Sequence, residues 1–300
     1  MNLRAKIFRV LTILALAAGI ACLSYPLVSN LIIQAAQAQV AKLNVVAAEN
    51  LDADKLDHEW QAAYEYNAAL KSSLAVVTDP FDPNASISAL DDYDDILNLN
   101  GDGVMGSVEI PEIKAYVPIY HGTSDEVLEK GAGHLSMTSL PVGGESTHCV
   151  MAGHTGLPTV EIFDNLEKLH EGSVVVLNVL DERLYYKVYS IEVVAPECTS
   201  SLAVVQGRDL LTLVTCTPYG VNSHRLLVHA ERCAPEEGVE AVAAAEADQW
   251  PVSPELIAIL AAVLALAALA AFLVRRRIVR RRRQQLLAEA AHATSRKMRG

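Results

Sequence analysis

The sequence predicts a mainly β fold, either a closed barrel or a sandwich, between two membrane-spanning segments. Short apolar runs, among them "SVVVLNVL", "LLTLVTC" and "RLLVHAERC", follow one another between residues 96 and 233. Glycine and proline separate these runs, and few segments in this range have the spacing of a helix. Such a series of short strands is typical of a closed barrel or a sandwich. Each end of the chain adds one long apolar run.

The first apolar run covers residues 10–33 and follows a basic tail, residues 1–9. It reaches the length of about 20 residues that crosses a bilayer. Ser24, Tyr25 and Pro26 interrupt the run, and Ala36-Gln37-Ala38 resembles a signal-peptidase site. Both an uncleaved anchor and a cleaved signal peptide are therefore open, and we favour the anchor.

The second apolar run predicts a transmembrane helix over residues 255–274, and a basic cytoplasmic tail over 275–300 follows it. Both basic clusters lie on the outer flanks of the apolar runs, so the positive-inside rule places both termini in the cytoplasm. The arginines beside a span favour a stop-transfer signal over a nucleic-acid patch. The residues between the spans are then outside the cell.

The charge of the chain is divided between its middle and its ends. Residues 41–254 hold 11 Lys+Arg and 34 Asp+Glu, a net charge of −23, whereas the flanks are basic. Such a domain repels nucleic acid and anionic surfaces, and a cationic or amine-bearing partner suits it better.

A helical lead-in and a loop precede the β-rich part, over residues 38–95. The lead-in has apolar and buried-type residues at steps of three and four: Leu56, Trp60, Ala63, Tyr64, Asn67, Leu70 and Leu74. Two prolines in "TDPFDPNAS" (78–86) then predict an ordered or hinged loop. At the other end, residues 234–254 are rich in Ala and Glu and predict a linker that tethers the β domain to the second span.

The segment "TLVTCTPYGVNSHR" indicates a chemical site. Cys216 ends one apolar run and Arg225 begins the next, with a turn-rich loop between them. If the runs pair as antiparallel strands, both residues lie at the same end of neighbouring strands. A fixed cation beside a cysteine favours its thiolate, which is the nucleophilic form.

A nearby histidine would then handle protons, and His154 is the best placed of the nine. It follows an apolar strand in "VMAGHTGLP", where glycine and proline turn the chain away. His224 is the competing choice. Because adjacent side chains of a strand point to opposite faces, His224 and Arg225 should not serve one site.

Ordered motifs occur along most of the middle of the chain. These are "GSVEIPEIKAYVPIYHGT", "EKGAGHLSMTSLPVGG", "AGHTGLP" and "TLVTCTPYGVNSHRLLV", and "TLVTC" fits a Thr-Leu-any-Thr-Cys signature. From about Tyr66 to Val228 the chain resembles the class C, pilin-polymerising sortases. The resemblance implies an eight-stranded sortase β-barrel over residues 96–233. It also implies a catalytic triad of Cys216 as nucleophile, His154 as general acid and base, and Arg225 as stabiliser of the oxyanion and substrate.

The resemblance further implies a cysteine transpeptidase of a Gram-positive cell membrane. The family cleaves the Thr-Gly bond of an LPXTG-type sorting signal, keeps the Thr end as a thioester and passes it to an amine. For class C the amine is a lysine of another pilin. The implied partners are pilin subunits and the membrane, without nucleic acid, and the chemistry requires no metal or cofactor.

Class C members also resemble this chain in a loop with an Asp-Pro-aromatic motif, here Asp79, Pro80 and Phe81. Asp79 would pair with Arg225, and Phe81 would cover Cys216 as part of a lid. Phe81 stands where Trp is also common in the family. Thr215 is expected to support the site through its hydroxyl while facing away from Cys216.

Cys149 is expected to pack in the strand before His154, and a disulfide to Cys198 or Cys233 is the alternative. Other functions also stay open. A housekeeping sortase would use a cell-wall amine as acceptor, a non-catalytic surface scaffold would keep only the barrel, and a plain cysteine protease would resolve the thioester with water.

Overall fold

The computed structural model describes residues 3–72, 77–82, 92–157 and 161–247, together with isolated helical residues between 261 and 282. The chain divides into two compact units, residues 1–247 and 248–300. The predicted second span, residues 255–274, and the basic tail after it lie almost entirely outside the described residues. The fold below is that of the first unit.

The described residues form a closed barrel of eight strands, which confirms the predicted mainly β fold and decides for the barrel over the sandwich. Around the barrel the strands follow the order β1-β2-β3-β4-β7-β8-β6-β5, and β5 pairs with β1. The strands are β1 (Val104–Ile110), β2 (Ala115–His121), β3 (Ala132–His134), β4 (Thr147–Ala152), β5 (Val174–Val179), β6 (Glu182–Val194), β7 (Asp209–Thr217) and β8 (His224–Arg232).

Four α-helices surround the barrel in the described part: α1 (Leu3–Glu49), α2 (Ala53–Ser72), α3 (Asp125–Leu128) and α4 (Pro235–Ala247). Single 3-10 turns occupy Pro111–Ile113, Leu166–Lys168 and Ser200–Leu202. The last of these lies in the connection between β6 and β7, which covers the outside of the barrel.

The sheet β4-β7-β8 has an apolar surface on both of its faces. On β4, Cys149 and Met151 belong to the main core inside the barrel. Their neighbours Val150 and Ala152 belong to a second, outer cluster. Because successive side chains of a strand alternate between the faces, this sheet needs a cover on its outside. Leu202 of the β6–β7 connection supplies part of that cover.

Helix α1 is continuous through Ser24, Tyr25 and Pro26, the residues that interrupt the apolar run of the sequence. A proline removes only one backbone donor, and the Ser24 hydroxyl donates to the Ala21 carbonyl at 3.2 Å. By length and composition, the described helix could cross a membrane over Val28–Glu49. This window overlaps the expected span, residues 10–33, over residues 28–33.

The C-terminal half of α1 packs against the barrel. The buried amide of Gln37 donates to the Lys130 carbonyl at 3.0 Å, and that of Asn44 donates to the Val104 carbonyl at 3.0 Å. The tripeptide Ala36-Gln37-Ala38, which resembles a cleavage site, therefore lies within helix α1. Its central residue, Gln37, is buried against the barrel.

Helix α2 agrees with the predicted amphipathic lead-in. Ala63 and Leu70 are buried in the main core, and Asn67 bonds both the N–H and the carbonyl of Leu140. Tyr64 differs from the prediction because it is 49% exposed, whereas Tyr66 is buried instead. Leu74 lies outside the described residues.

The segment expected to be a tether after the barrel forms helix α4 and packs on the barrel. Lys187 of β6 bonds Glu237 of α4. The Gly238 backbone lies against Tyr185, so close that a Cβ there would be 2.3 Å from the ring carbon Cγ. Alanine and glutamate favour a helix, and glycine allows it to approach the sheet.

Candidate active site

Cys216 and Arg225 face each other across two hydrogen-bonded strands. In the antiparallel pair β7–β8, Cys216 is in register with Arg225, one residue from the end of each strand. This is the juxtaposition that the sequence predicted. The two residues are 8% and 9% exposed. His224, the next residue, is exposed, as alternation along the strand predicted.

Arg225 is held by Asp79 of the loop after α2. The guanidinium donates from Nε to Asp79 Oδ1 at 2.8 Å and from Nη2 to Asp79 Oδ2 at 2.6 Å. Its Nη1 donates to the Asn222 and His224 carbonyls, each at 3.1 Å. Both side chains of the pair are only 11% exposed. The two-pronged edge of the guanidinium, which suits a carboxylate or an oxyanion, is therefore occupied by the protein itself.

Phe81 lies beside both Arg225 and His154. The centre of its ring is 5.0 Å from Cζ of the guanidinium and 5.6 Å from the centre of the imidazole. Pro80 is buried between Asp79 and Phe81, and the Asp82 N–H donates to the Asp79 carbonyl to close a turn. The turn lets one short segment contact the guanidinium with both a carboxylate and an aromatic ring.

His154 follows β4 at the level of Cys216. Strands β4 and β7 are parallel, and Ala152 is in register with Val214, two residues before His154 and Cys216 respectively. The His154 carbonyl accepts from the Phe163 N–H at 3.1 Å. In the loop after His154, the Asp164 carboxylate accepts from the Gly156 N–H at 2.8 Å and stabilises the turn of the chain.

Thr215 links the cysteine strand to the histidine segment. Its hydroxyl donates to the Gly153 carbonyl at 2.7 Å, and the Gly153 N–H donates to the Val214 carbonyl at 3.1 Å. A side chain at Gly153 would overlap Phe163, because a Cβ there would be 2.6 Å from its ring. These contacts fix the backbone of Gly153, the residue directly before His154.

Burial opposes charge on both groups that would carry protons. Desolvation raises the pKa of the Cys216 thiol, Arg225 lowers it, and the Asp79 carboxylate raises it again. Desolvation lowers the pKa of His154, and the carboxylates of Asp125, Glu129 and Asp164 oppose that change. With Asp79 in place, the thiol and the imidazole are therefore both favoured in their neutral forms.

The β6–β7 connection and the Asp79 segment meet over the outer cluster. Leu202 belongs to this cluster, and Val77 and Phe81 pack against it. The Thr199 hydroxyl also donates to the Val77 carbonyl at 2.9 Å. The two segments together cover the apolar surface that leads from Cys216 along β7.

Apart from Phe81, sequence reasoning did not identify these covering residues, nor the polar residues further along the same strands. Thr212 and His229 lie four residues from Cys216 and Arg225 on the same strand faces, so alternation could have found them. Asp164 and Thr199 are in loops without a pattern to indicate them. All five cysteines are described and unpaired. Cys149 packs in the main core, as expected, and the disulfide alternative is not observed.

Comparison with known proteins identifies this arrangement. A family model described as "Sortase domain" matches residues 108–233. The crystal structure of *Streptococcus pneumoniae* sortase C is 41% identical, with a TM-score of 0.60, and the match covers 65% of this chain and 97% of that one. Sortase C-1 of *Actinomyces oris* is 47% identical, with a TM-score of 0.54, over 59% of this chain and 98% of that one.

The curated relatives are more distant and match only in part. Sortase A of *Streptococcus agalactiae* is 30% identical over 132 residues, which are 43% of this chain and 52% of the relative. The chain thus spans about half the length of that curated relative.

The fold and the site define a barrel protein with a cysteine, an arginine and a histidine at one end of its β4-β7-β8 sheet. The chain belongs to the sortase family. Within that family, its solved structural neighbours are sortase C proteins.

Proposed function

We propose that this protein is a membrane-anchored cysteine transpeptidase that joins pilin subunits. In this reaction it cleaves the Thr-Gly bond of an LPXTG-like sorting signal and transfers the acyl group to a pilin lysine. The register of Cys216 with Arg225 carries the proposal. Membership of the sortase family supports it, and so does the similarity to *S. pneumoniae* sortase C, a protein with pilin substrates.

The first half of the reaction forms a thioester. The Cys216 sulfur attacks the threonine carbonyl, and the oxygen becomes an oxyanion that the Arg225 donors stabilise. The C–N bond to glycine then breaks. His154, which took the thiol proton, gives that proton to the leaving glycine amine. The product is an acyl group on Cys216 and a free sorting-signal tail.

The second half transfers the acyl group. A lysine amine attacks the thioester carbonyl, His154 takes one of its protons, and the Cys216 sulfur leaves. An isopeptide bond has formed, and His154 returns the proton to the Cys216 sulfur, which regenerates the thiol. The net charge of −23 over residues 41–254 suits a cationic lysine as the incoming group.

The segment Asp79-Pro80-Phe81 acts as a lid in this proposal. While Asp79 holds Arg225, the donors needed for the oxyanion are occupied. When the lid leaves, Asp79 no longer raises the pKa of Cys216, whereas Arg225 still lowers it. Opening therefore frees the oxyanion donors and favours the thiolate in one movement.

The proposed topology has both termini in the cytoplasm and the barrel outside the cell. The apolar α1, together with the arginines that follow the predicted second span, supports it. The burial of Gln37 within α1 favours an uncleaved anchor, because a continuous helix joins the anchor to the barrel.

The full chain in detergent, with an LPXTG-type peptide and a pilin domain as lysine donor, tests the proposal. Mass spectrometry should detect a thioester on Cys216 and then an isopeptide product. Cys216→Ala should lose both, with a rate loss of at least about a thousandfold. A wall-precursor amine in the same mixture tests the alternative. Its exclusive use as acceptor would indicate peptidoglycan anchoring, and an unchanged rate in Cys216→Ala would refute cysteine catalysis.

A further inference from the structure

A buried chain of polar side chains lies on the outer face of the sheet that carries the candidate site. His148 on β4, Thr212 on β7 and His229 on β8 are 1%, 0% and 4% exposed. Glu192 on β6 borders them with a side chain that is 40% exposed. None of these residues contributes to the chemistry proposed above.

The members of this chain are bonded end to end. His148 Nδ1 lies 2.9 Å from the Ala203 carbonyl, and its Nε2 lies 2.7 Å from Thr212 Oγ1. Thr212 Oγ1 is also 2.8 Å from His229 Nδ1. The other ring nitrogen of His229, Nε2, is 3.1 Å from Glu192 Oε1. Four hydrogen bonds thus join five groups.

Both ends of the polar chain hold the β6–β7 connection. One end binds the carbonyl of Ala203, directly after the turn Ser200–Leu202. At the other end, the nearby Ser201 hydroxyl lowers the pKa of the Glu192 carboxylate. Leu202, which lies between these two anchor points, packs in the outer cluster with Phe81.

A proton count constrains the charge of the polar chain. The Ala203 carbonyl and an ionised Glu192 only accept, so His148 Nδ1 and His229 Nε2 must both donate. If both rings are neutral, His148 Nε2 and His229 Nδ1 carry no hydrogen and can only accept. Both face the Thr212 hydroxyl, which has a single hydrogen to donate. Four hydrogen bonds need four protons, and the neutral set has three. One further proton completes them.

The environment places this proton at the Glu192 end. Desolvation lowers the pKa of His148 to about 4, and a charge on His229 contributes to that lowering. His148 is therefore neutral near pH 7. The pKa of Glu192 is lowered, first by its bond from Ser201 and further by His229. An imidazolium at His229 beside an ionised Glu192 satisfies every bond of the chain.

We propose that His148, Thr212, His229 and Glu192 are positioning residues that bind one proton and thereby fix residues 201–203 beside the outer cluster, as one wall of a peptide cleft that leads along β7 to Cys216. The use of this cleft for a sorting peptide rests on the proposed function, whereas the bound proton does not. When the proton leaves, one of the bonds at Thr212 is lost and the β6–β7 connection loosens.

The pH dependence follows from the groups that face His229. Glu192 and the ring of Tyr189 face it from β6, Thr212 from β7, and His148 lies beyond Thr212 on β4. Arg208 lies over Tyr189, with Cζ 4.5 Å from the ring centre. The bonded state is the protonated one, so order in the connection falls as pH rises and the proton leaves.

Glu192→Gln gives the sharpest test, because an amide nitrogen can donate to His229 Nε2 without any extra proton. All four bonds then form with neutral histidines. In the wild-type full chain we expect KM for an LPXTG peptide to rise about tenfold as the proton leaves, the effect of one buried hydrogen bond. In Glu192→Gln, KM should stay low over the same pH range.

Thr212→Val and Thr212→Ser form a matched pair. Valine removes the hydroxyl at nearly constant volume, so it should raise KM about tenfold at low pH and change kcat less. Serine restores the hydroxyl and should restore KM. Tyr93→Phe is the control, since it deletes a buried hydroxyl bonded to His134 elsewhere on the barrel. It should keep the wild-type pH profile.

Nitrogen NMR of the histidine rings, with amide hydrogen exchange of residues 196–208, tests the bound proton without any substrate. We expect both nitrogens of His229 to be protonated while the connection is protected, and the connection to lose protection as this proton leaves. A neutral His229, or a Glu192→Gln variant with the wild-type pH profile, would overturn the proposal even if the transpeptidase is active. An inactive enzyme with a doubly protonated His229 would instead refute only the proposed function.

Discussion

Asp79 controls the two residues on which the proposed chemistry depends. Its carboxylate occupies two donors of Arg225, and its charge raises the pKa of Cys216. Charge-assisted, two-pronged bonds of this kind are about twice as strong as neutral ones. One carboxylate therefore both occupies the donors proposed for the oxyanion and disfavours the thiolate.

Replacing that carboxylate tests its control of Cys216. In Asp79→Asn, the negative charge that raises the thiol pKa is gone, so the pKa falls and the thiolate forms at lower pH. The weaker bonds to Arg225 also open the lid more often. We expect alkylation of Cys216 by iodoacetamide to be about tenfold faster near neutral pH, with its pH profile displaced downward.

Asp102→Asn, at an exposed turn before β1, is the matched control and should alkylate at the wild-type rate. Peptide mapping assigns the modified cysteine. An unchanged profile in Asp79→Asn would mean that Asp79 does not govern the reactivity of the thiol.

At the scale of elements, the site is formed by strand ends and covered by two connections. Cys216 lies on β7 and Arg225 on β8, and His154 lies two residues after the end of β4. The Asp79 segment and the β6–β7 connection meet through Thr199 and Val77. A movement of the proposed lid that also displaced Val77 would break this bond as well as the Asp79 pair.

Helix α4 depends on one glycine for its contact with the barrel. Gly238→Ala would gain about 1 kcal/mol of helix propensity. The new Cβ, however, would lie 2.3 Å from Cγ of Tyr185 and force the helix away. We expect a net loss of about 1–3 kcal/mol in the free energy of unfolding, the usual cost of overpacking.

Denaturant unfolding of the full chain in detergent measures this loss. Val239→Ala, at the exposed neighbouring position, should change stability by less than about 0.5 kcal/mol. Higher stability of Gly238→Ala would show that α4 does not dock on Tyr185 in solution.

At the scale of the whole molecule, charge separates the middle of the chain from its flanks. The acidic residues lie in the middle, and the basic residues cluster beside the apolar runs. The positive-inside rule orients such a chain with its middle outside. The same acidity would attract a lysine donor, more strongly at low ionic strength.

Labelling of Cys198 tests this orientation, because this thiol is exposed on the barrel unit. A membrane-impermeant maleimide should label it in intact cells, and Cys198→Ala should remove that signal. A cysteine introduced by Arg296→Cys in the basic tail should react only after lysis. Labelling of Cys198 only in lysed cells would place the barrel in the cytoplasm.

Local patterns allowed much of this molecule to be predicted. Alternation and turn residues indicated the strands, and the loop "TPYGVNSH" between two apolar runs placed Cys216 beside Arg225. The three-and-four spacing indicated α2, although it assigned Tyr64 instead of Tyr66 to the buried face. Neighbouring helix positions differ by about 100°, so a broad face leaves such a choice open.

The amino-acid sequence by itself determined the strands, the charge separation and the pairing of Cys216 with Arg225, because each depends on residues close together in the chain. Only the tertiary structure decided how α4 packs and that His148, Thr212, His229 and Glu192 form one bonded chain. Those contacts join residues from separate strands. The pairing of the strands in the barrel brings these residues together, and no local sequence pattern predicts that pairing.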